Sequence, residues 1–494
     1  MLTIILLKQM NTKNYKKILT KDGYLLNKSK FSDKELENLR RELTVQPQQT
    51  YSIGLKNAPE KFEVFRENDE FLSIPKYYAI SRLGKEDLNE EIIGEKTSFS
   101  FNGELRSLQK DIVTSVLDHI KKYDGGGICV GCGSGKTVMA INIAHTLKLK
   151  TLVIVHKTFL LNQWKERFDQ FTNAKVGTIQ QDKVDTEGKD VVIGMLQSIA
   201  KEKYDLDIFR DFGLVIFDEA HHAPSKFFSR ALPLISCKKT LFLTATPKRA
   251  DRLEKVLYWF FGDIIYKAPP SQNQNVLVKI YKYNITHEKF RESFIRFTRE
   301  VNKAGTISRL SKISKRNKFI VDIIKEILIE DGRKILVLSD RIEHLNKLKE
   351  KLDKLEINSD FYIGGMKQTK LDEAAKSTVI LASYGMASEA LDIPSLNTLI
   401  MATPRRSIEQ SVGRILRTKN HEVQPLIVDI VDQLNSFNNQ GMARRKFYKK
   451  LKYTIRLLDV EENEILGDED ITEHVNTSLA YVDEDNFQAD FIDD

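Results

Sequence analysis

The sequence predicts an α/β protein: two tandem parallel-sheet lobes preceded by a small N-terminal accessory domain. Three observations predict it. Short β-branched runs alternate with helical stretches from Leu105 onward, each run ends in Gly, Ser, Thr or Asp, and the alternation restarts near Arg333 after an interruption. Runs that are apolar throughout are what strands buried on both faces require. At about 150 residues per domain, 494 residues correspond to roughly three domains, and 41% apolar residues suffice for sizeable cores.

Taken in order, residues 1–100 are mixed and Lys-rich, with Pro59, Pro75 and Gly84 interrupting any long periodicity; they form the accessory domain. Residues 101–266 carry the runs GGICV, TLVIVH, DVVIGM, GLVIFDEA and TLFLTAT, the strands of the first lobe. Residues 267–304, beginning near APPSQNQN, fit neither series and are expected to be a linker or insertion. Residues 305–456 carry KILVLSD, STVILASYG, TLIMATP and LIVDIVD, the second lobe. Residues 457–494 hold no Lys or Arg and 14 Asp or Glu, an acidic tail. No internal repeat is visible. Two such sheets imply a ligand cleft between them.

Charge divides the chain. The formal net charge of +8 is made of +22 over residues 1–456 and −14 over the last 38. A body this positive suits a polyanion such as nucleic acid, although a Lys-rich, low-GC codon bias produces the same count. The tail either competes for the basic body as a tethered polyanion or packs on the second lobe through Leu457, Leu458, Val460, Ile465, Leu466 and Ile471. No stretch approaches the ~20 apolar residues that cross a bilayer, so no membrane partner is expected. The opening MLTIILL is cut off by Lys8 and lacks the basic leader of a signal peptide. Three cysteines make no disulfide framework and point to a reducing, intracellular compartment.

The run GGICV leads into GCGSGKT, Gly131–Thr137, and then into the helical stretch VMAINIAHTLK. Strand, Gly-rich turn and helix start are the context of a phosphate-binding loop. Gly131, Gly133, Ser134 and Gly135 would direct backbone N–H groups at a β-phosphate, with no Cβ in the way at the glycines. The helix start adds its positive dipole end. Lys136 supplies a point charge to the β- and γ-phosphates, and Thr137 offers its hydroxyl to Mg2+. The loop departs from G-x-x-x-x-G-K-[ST] at its first position, which is Val130. Cys129 and Cys132 make a C-x-x-C here, but the remaining cysteine is Cys237 alone, so a zinc site has no second ligand pair.

GLVIFDEAHH puts Asp218 and Glu219 at the end of a strongly apolar strand. There the first carboxylate can hold Mg2+ and the second can polarise an attacking water. A capping pair on the next helix is the plainer alternative. His221 stands beside the pair, placed to couple nucleotide state to Gln410.

D-E-A-H, preceded by G-x-G-K-T and followed by T-A-T (Thr244–Thr246), resembles the motifs of superfamily 2 helicases of the DEAH type. QSVGRILR, Gln410–Arg417, is similar to the family's Q-x-x-G-R-x-x-R, and SEALDIP, Ser388–Pro394, resembles G-x-D-x-P with Ala390 at the glycine position. ELRSLQ, Glu104–Gln109, resembles the R-x-x-Q element that reads adenine. The resemblance covers roughly residues 100 to 455. TLVIVHKTFLLNQWKERF, SKRNKFI and TPRRSIEQSVGRILR are most similar to the XPB/RAD25-like group, which includes UvsW-type phage helicases and the transcript-release helicases of large DNA viruses. A composition rich in Lys, Asn and Ile agrees with a viral source.

The resemblance implies two RecA-like lobes and an ATP hydrolase with ATP and Mg2+ as cofactors. It implies catalytic roles for Lys136, Asp218, Glu219, Gln410, Arg414 and Arg417, adenine contacts from Arg106 and Gln109, and metal contacts from Thr137 and Asp218. Arg414 and Arg417 would reach the γ-phosphate from the second lobe, so that ATP completes the site only when the cleft closes. Nucleic-acid contacts are expected at His156 and Lys157, Gln197 and Ser198, Gly364 and Gly365, and Ser383–Gly385. The run RRKFYKKLKYTIR, Arg444–Arg456, either contacts backbone and stacks a base or is a packing helix. The expected function is an ATP-dependent helicase or translocase on nucleic acid, duplex or branched DNA before RNA, in a host cell or virion beside transcription or replication machinery. The alternative is a non-unwinding, nucleic-acid-stimulated ATPase that remodels or releases a protein–nucleic acid complex.

Overall fold

Three large sheets and a two-stranded ribbon, Thr44–Val45 with Phe62–Glu63, organise the described residues. The computed structural model describes residues 14–21, 23–48, 59–131, 133–249, 251–269, 275–389, 391, 393–406, 408–416 and 423–460. The N-terminal unit is a five-stranded sheet whose order, by first residue, is Arg66, Phe71, Gly23, Lys17, Leu88. The helix Asp33–Glu42 packs on it through Leu36 and Leu39. Ser32 starts that helix with a capping box, its Oγ accepting from Glu35 N at 3.3 Å while the Glu35 carboxylate accepts from Ser32 N at 2.7 Å.

This unit is joined to the next sheet by polar and apolar contacts from the helix Lys76–Leu83. Buried Lys76 pairs with Glu91 at 2.6 Å and donates to the Lys238 carbonyl at 3.3 Å. The Tyr77 hydroxyl lies 3.1 Å from Thr240 Oγ1, and Tyr78 meets the Trp259 ring edge-on at 5.2 Å. Leu26, Leu72 and Ala79 share one apolar cluster with Val256, Leu257 and Phe261.

The first lobe is an eight-stranded sheet ordered Lys183, Val176, Val191, Thr151, Leu214, Lys239, Gly125, Ile264. Lys183–Asp185 pairs antiparallel; its other neighbours run parallel. Strands Gly125–Cys129, Thr151–Val155, Val191–Met195 and Leu214–Phe217 are buried along their whole length, as unbroken apolar runs demand. Helices Ser107–Tyr123, Lys136–Leu147 and Thr158–Phe171 supply the apolar cover.

The second lobe is a seven-stranded sheet ordered Ser359, Val379, Ile335, Thr398, Leu426, Leu277, Thr454, with every neighbouring pair parallel. All its strands therefore end at one edge, where ligand-binding loops of such sheets gather. These architectures are the α/β fold with parallel-sheet, RecA-like lobes.

Two boundaries differ from expectation. Residues 267–304 are not a linker throughout, because Leu277–Tyr283 is a strand inside the second sheet, between Leu426–Asp432 and Thr454–Leu458. Val278, Ile280, Tyr281 and Tyr283 are buried, but half-buried Lys279 and Lys282 interrupt them, so no continuous apolar run advertises it. The expected tail start at residue 457 also cuts a strand, since Leu457 and Leu458 end Thr454–Leu458 and are both 7% exposed. That pairing is the packing alternative for those two residues; residues 461–494 lie outside the described ones. Among the described residues, no helix is long and apolar enough to cross a membrane.

Candidate nucleotide and nucleic-acid site

The strand Gly125–Cys129 delivers the Gly-rich loop to the start of the helix Lys136–Leu147. Gly133 and Gly135 have φ of 76° and 82°, the left-handed region that glycine adopts without strain. A Cβ on Gly135 would stand 2.2 Å from Gln109 Nε2. The reason is a clamp: Gln109 Nε2 and Arg106 Nη2 donate to the Ser134 carbonyl at 2.9 and 3.1 Å. Gln109 also closes its own helix start, accepting from Arg106 N at 2.9 Å. The two residues expected to read adenine thus brace the phosphate loop. Lys136 Nζ donates to the Val130 carbonyl at 3.2 Å, within reach of the loop's concave side. Thr137 is in the first turn of the same helix, and Cys132 lies outside the described residues.

Asp218 and Glu219 follow the strand Leu214–Phe217. Asp218 is 6% exposed, its Oδ2 accepting from Trp164 Nε1 at 2.8 Å and its Oδ1 from Glu219 N at 3.0 Å. Burial, then the Glu219 charge, push its carboxyl up to about 6, against the opposing pull of the Trp164 hydrogen bond and of Lys136. Glu219 takes φ 46°, a left-handed value rare outside glycine, where the strand gives way to the turn Ala220–His222. Among the described residues Glu219 Oε2 is buried without a hydrogen bond, 3.4 Å from His221 Nδ1. His221 Nδ1 is also 3.3 Å from Thr244 Oγ1, so it links the acidic pair to the T-A-T strand end. A glycine loop at a helix start, a lysine, a hydroxyl and two carboxylates, one buried and one half-buried, fit a Mg2+–triphosphate.

Sequence reasoning missed two residues here. Trp164 sits on Thr158–Phe171, 1% exposed; a buried indole needs an acceptor, but nothing local says which. Arg249 donates to the His221 carbonyl and pairs with Asp251 at 2.6 Å, tying the segment after T-A-T to the acidic turn.

In the second lobe, Gln410 and Arg414 share the helix Glu409–Ile415. Arg414 is 6% exposed and its Nη1 donates to the Leu391 carbonyl at 2.9 Å, so here it braces its own lobe instead of projecting from it. Arg417, Ala390 and Asp392 lie outside the described residues. The loop leading to this helix is held from three sides. Arg316, in a buried bidentate pair with Asp432 at 2.7 and 2.8 Å, donates to the Ala402 carbonyl at 2.8 Å. The Tyr384 hydroxyl donates to the Thr403 carbonyl at 2.7 Å. Arg444, paired with Asp429 at 2.8 Å, donates to the Arg405 carbonyl. Arg444 is 1% exposed and Tyr448 is buried, so the first part of the run Arg444–Arg456 is packing helix and does not offer these side chains to a ligand.

The other expected contacts stand at strand ends. His156 stacks on His222 at 4.0 Å and its carbonyl accepts from Gln197. Ser198 is buried, its hydroxyl accepting from Gln181 N at 2.9 Å. Gly364, Gly365 and Gly385 have nothing within 4 Å of where a Cβ would be, so their backbone is open to close approach. Ser383 ends the strand Val379–Ser383, and Lys157 precedes the helix Thr158–Phe171.

Residues 102–249 match the family model of the type III restriction enzyme res subunit, and residues 315–419 match that of the helicase conserved C-terminal domain. The chain is 37% identical over 459 residues, 91% of this chain and 88% of the relative, to the "Putative ATP-dependent RNA helicase L396" of Acanthamoeba polyphaga mimivirus. It is 28% identical over 378 residues, 72% of this chain and 82% of the relative, to the "Putative helicase 161L" of Invertebrate iridescent virus 6. Among solved structures, the ATP-dependent type ISP restriction-modification enzyme LlaBIII bound to DNA aligns with a TM-score of 0.53 at 16% identity. That alignment covers 74% of this chain and 32% of the other, a likeness of fold.

Proposed function

The chain belongs to the superfamily 2 helicases and is an ATP-hydrolysing, nucleic-acid-binding enzyme, and from that premise we propose that it is a DEAH-type member of the XPB/RAD25-like group moving on duplex or branched DNA. The observation that carries the reading is the Asp218–Glu219 pair, buried at Asp218, beside the Lys136 loop, on a body whose charge over residues 1–456 is +22. Residues 1–100 form the accessory unit, 101–266 the ATP-binding lobe and 305–456 the second lobe. Residues 267–304 connect the lobes and lend a strand to the second, and residues from 457 onward carry the acidic charge.

ATP is held by the loop's backbone N–H groups and by Lys136, whose ammonium exchanges the Val130 carbonyl for the β- and γ-phosphates. Thr137 and Asp218 hold Mg2+, which supplies charge neutralisation at the phosphate oxygens. Glu219 orients and polarises the attacking water. Its buried, hydrogen-bond-free Oε2 gives that water a strong acceptor. On closure Arg417 completes the site from the second lobe, joined by Arg414 once its guanidinium exchanges the Leu391 carbonyl for phosphate oxygens, and Gln410 reports nucleotide state through His221. Because charge on the transferring phosphoryl group must be met from both lobes, hydrolysis and lobe motion are linked. The enzyme works in the reducing interior of an infected cell, beside transcription or replication machinery.

The test is the ATP turnover rate with single-stranded DNA, duplex DNA, forked DNA and RNA in turn, beside a strand-displacement assay. Strongest stimulation by duplex or forked DNA, with displacement, is the expected result. A second reading is a non-unwinding ATPase that releases a transcript from a protein–nucleic acid complex, and the viral relative described as an RNA helicase favours RNA as the nucleic acid. Stimulation by RNA above every DNA, or stimulation without displacement, would establish that reading and overturn the first.

A further inference from the structure

Residues 284–302 join the strand Leu277–Tyr283 to the helix Lys303–Leu310, and their middle folds back on itself. Phe294 and Val301 form a β-bridge, Ile295 N donates to Glu300 O at 2.8 Å, and Arg299 N donates to Ile295 O at 2.9 Å. The base of this small hairpin is anchored: Glu292 accepts from Ser436 N at 2.9 Å, Ser293 N donates to Thr306 Oγ1 at 2.9 Å, and Phe290 packs beside Tyr283. Its tip is the opposite. Phe297 is 92% exposed, the most exposed large apolar side chain among the described residues, with Phe294 at 58% nearby. Residues 294–299 read FIRFTR, with both arginines exposed and no carboxylate.

An anchored base that projects phenylalanines into water has no folding rationale, since burying such a ring is what stabilises a core. We propose that the hairpin tip grips nucleic acid: Phe297 stacks on an unpaired base while Arg296 and Arg299 pair with the adjoining phosphates. Three features carry the inference. An exposed aromatic ring is the group on which single-stranded bases stack, whatever their sequence. Arg296 and Arg299 are both exposed while Glu300, the acid next to the second, is half-buried, so the tip presents positive charge that favours a polyanion over a protein surface of mixed charge. The hairpin leaves the sheet at Tyr283, and because all seven strands are parallel this is the same carboxyl edge that bears Gly364–Gly365 and Ser383–Gly385. Gln433 N donates to the Tyr283 carbonyl at 2.8 Å, which fixes the exit point. The assignment rests on the nucleic-acid reading of the preceding subsection and gives it a named contact.

The test uses the full chain, a single-stranded DNA oligonucleotide and a fork of the same sequence. Phe297→Ala should unfold at the wild-type temperature, because the ring touches water, yet its Kd for the oligonucleotide should rise about 5- to 100-fold. Phe297→Trp should retain wild-type affinity, and its added emission, taken as the difference from wild type, should be quenched when the oligonucleotide binds. Replacing Arg296 and Arg299 by Ala together should lower the slope of log Kd against log salt by about 1–2. Wild-type affinity in Phe297→Ala with no quenching in Phe297→Trp overturns the inference and assigns the tip to a protein partner, while the helicase reading stands. Absence of nucleic-acid binding by the wild type itself overturns the helicase reading instead.

Discussion

Replacing Trp164 by Phe removes the N–H that lies 2.8 Å from Asp218 Oδ2 while keeping an aromatic ring in the buried position. A hydrogen bond to a charged group contributes roughly 1.5–3 kcal/mol. At about 1.4 kcal/mol per pKa unit, the Asp218 carboxyl should rise by roughly one to two units. It starts from about 6, so the variant titrates at roughly 7–8. The sign follows from the acid: below its pKa the carboxyl is neutral, and the ionised form that faces Mg2+ is lost as pH falls. At neutral pH the wild type is about 90% ionised and the variant roughly 10–50%. ATP turnover at limiting Mg2+ should therefore fall roughly 2- to 10-fold at neutral pH and recover toward wild type near pH 9. The assay is steady-state ATP turnover from pH 5.5 to 9.5, with its acid limb fitted. The smaller ring also leaves a void that lowers Tm, but a loss of stability scales the whole profile and does not displace the limb. An acid limb that coincides with that of the wild type would refute the argument.

Lys136→Ala should keep the wild-type melting temperature and lose ATP turnover, because the backbone cradle survives and its charge does not; turnover within a few-fold of wild type contradicts the loop assignment. Glu219→Gln should bind ATP and nucleic acid yet hydrolyse at least 100-fold more slowly, and loss of nucleotide binding would show that Glu219 is structural. Arg444→Ala leaves the fully buried Asp429 carboxylate without its charge partner, with the Tyr448 hydroxyl still donating to it, and should cost about 3–5 kcal/mol by denaturant unfolding; a cost under about 1 kcal/mol means Asp429 finds a further partner. Truncation after Val460 removes most of the −14 charge and should tighten nucleic-acid binding at low salt, with the gain fading as screening shortens to about 8 Å. Unchanged affinity with a lowered Tm assigns those residues a packing role.

The strands of the first lobe were legible because Leu152–Val155 and Leu214–Phe217 are buried on both faces, and no polar residue interrupts them. The phosphate loop was legible for a local reason too, since its chemistry is consecutive in sequence. What escaped is non-local. Trp164 meets Asp218 across 54 residues and Arg444 meets Asp429 across a helix and a strand, so neither pairing leaves a periodic trace. The run from Arg444 stays open in sequence between nucleic-acid contact and a packing helix, because a buried, paired arginine and a solvated one are written alike. Leu277–Tyr283 escaped because Lys279 and Lys282 break its apolar run into pieces too short to read as a buried strand. The clamp of Arg106 and Gln109 on Ser134 was visible as a motif but not as a brace, because spacing tells which residues recur and not which carbonyl they reach.

The apolar cluster shared by the N-terminal unit and the first lobe also sets an order of events at the ribosome. Tyr78 is synthesised roughly 180 residues before Trp259, against which it packs, and at about 5–20 residues per second that is a wait on the order of 10–40 s. Through that interval Tyr78 and Ala79 lack the face contributed by Val256, Leu257 and Phe261. The N-terminal unit is therefore a partial fold completed from downstream, and the two regions melt as one cooperative block. A fragment ending before Leu253 would leave that surface wet and prone to self-association, whereas cutting between the two lobes would spare it.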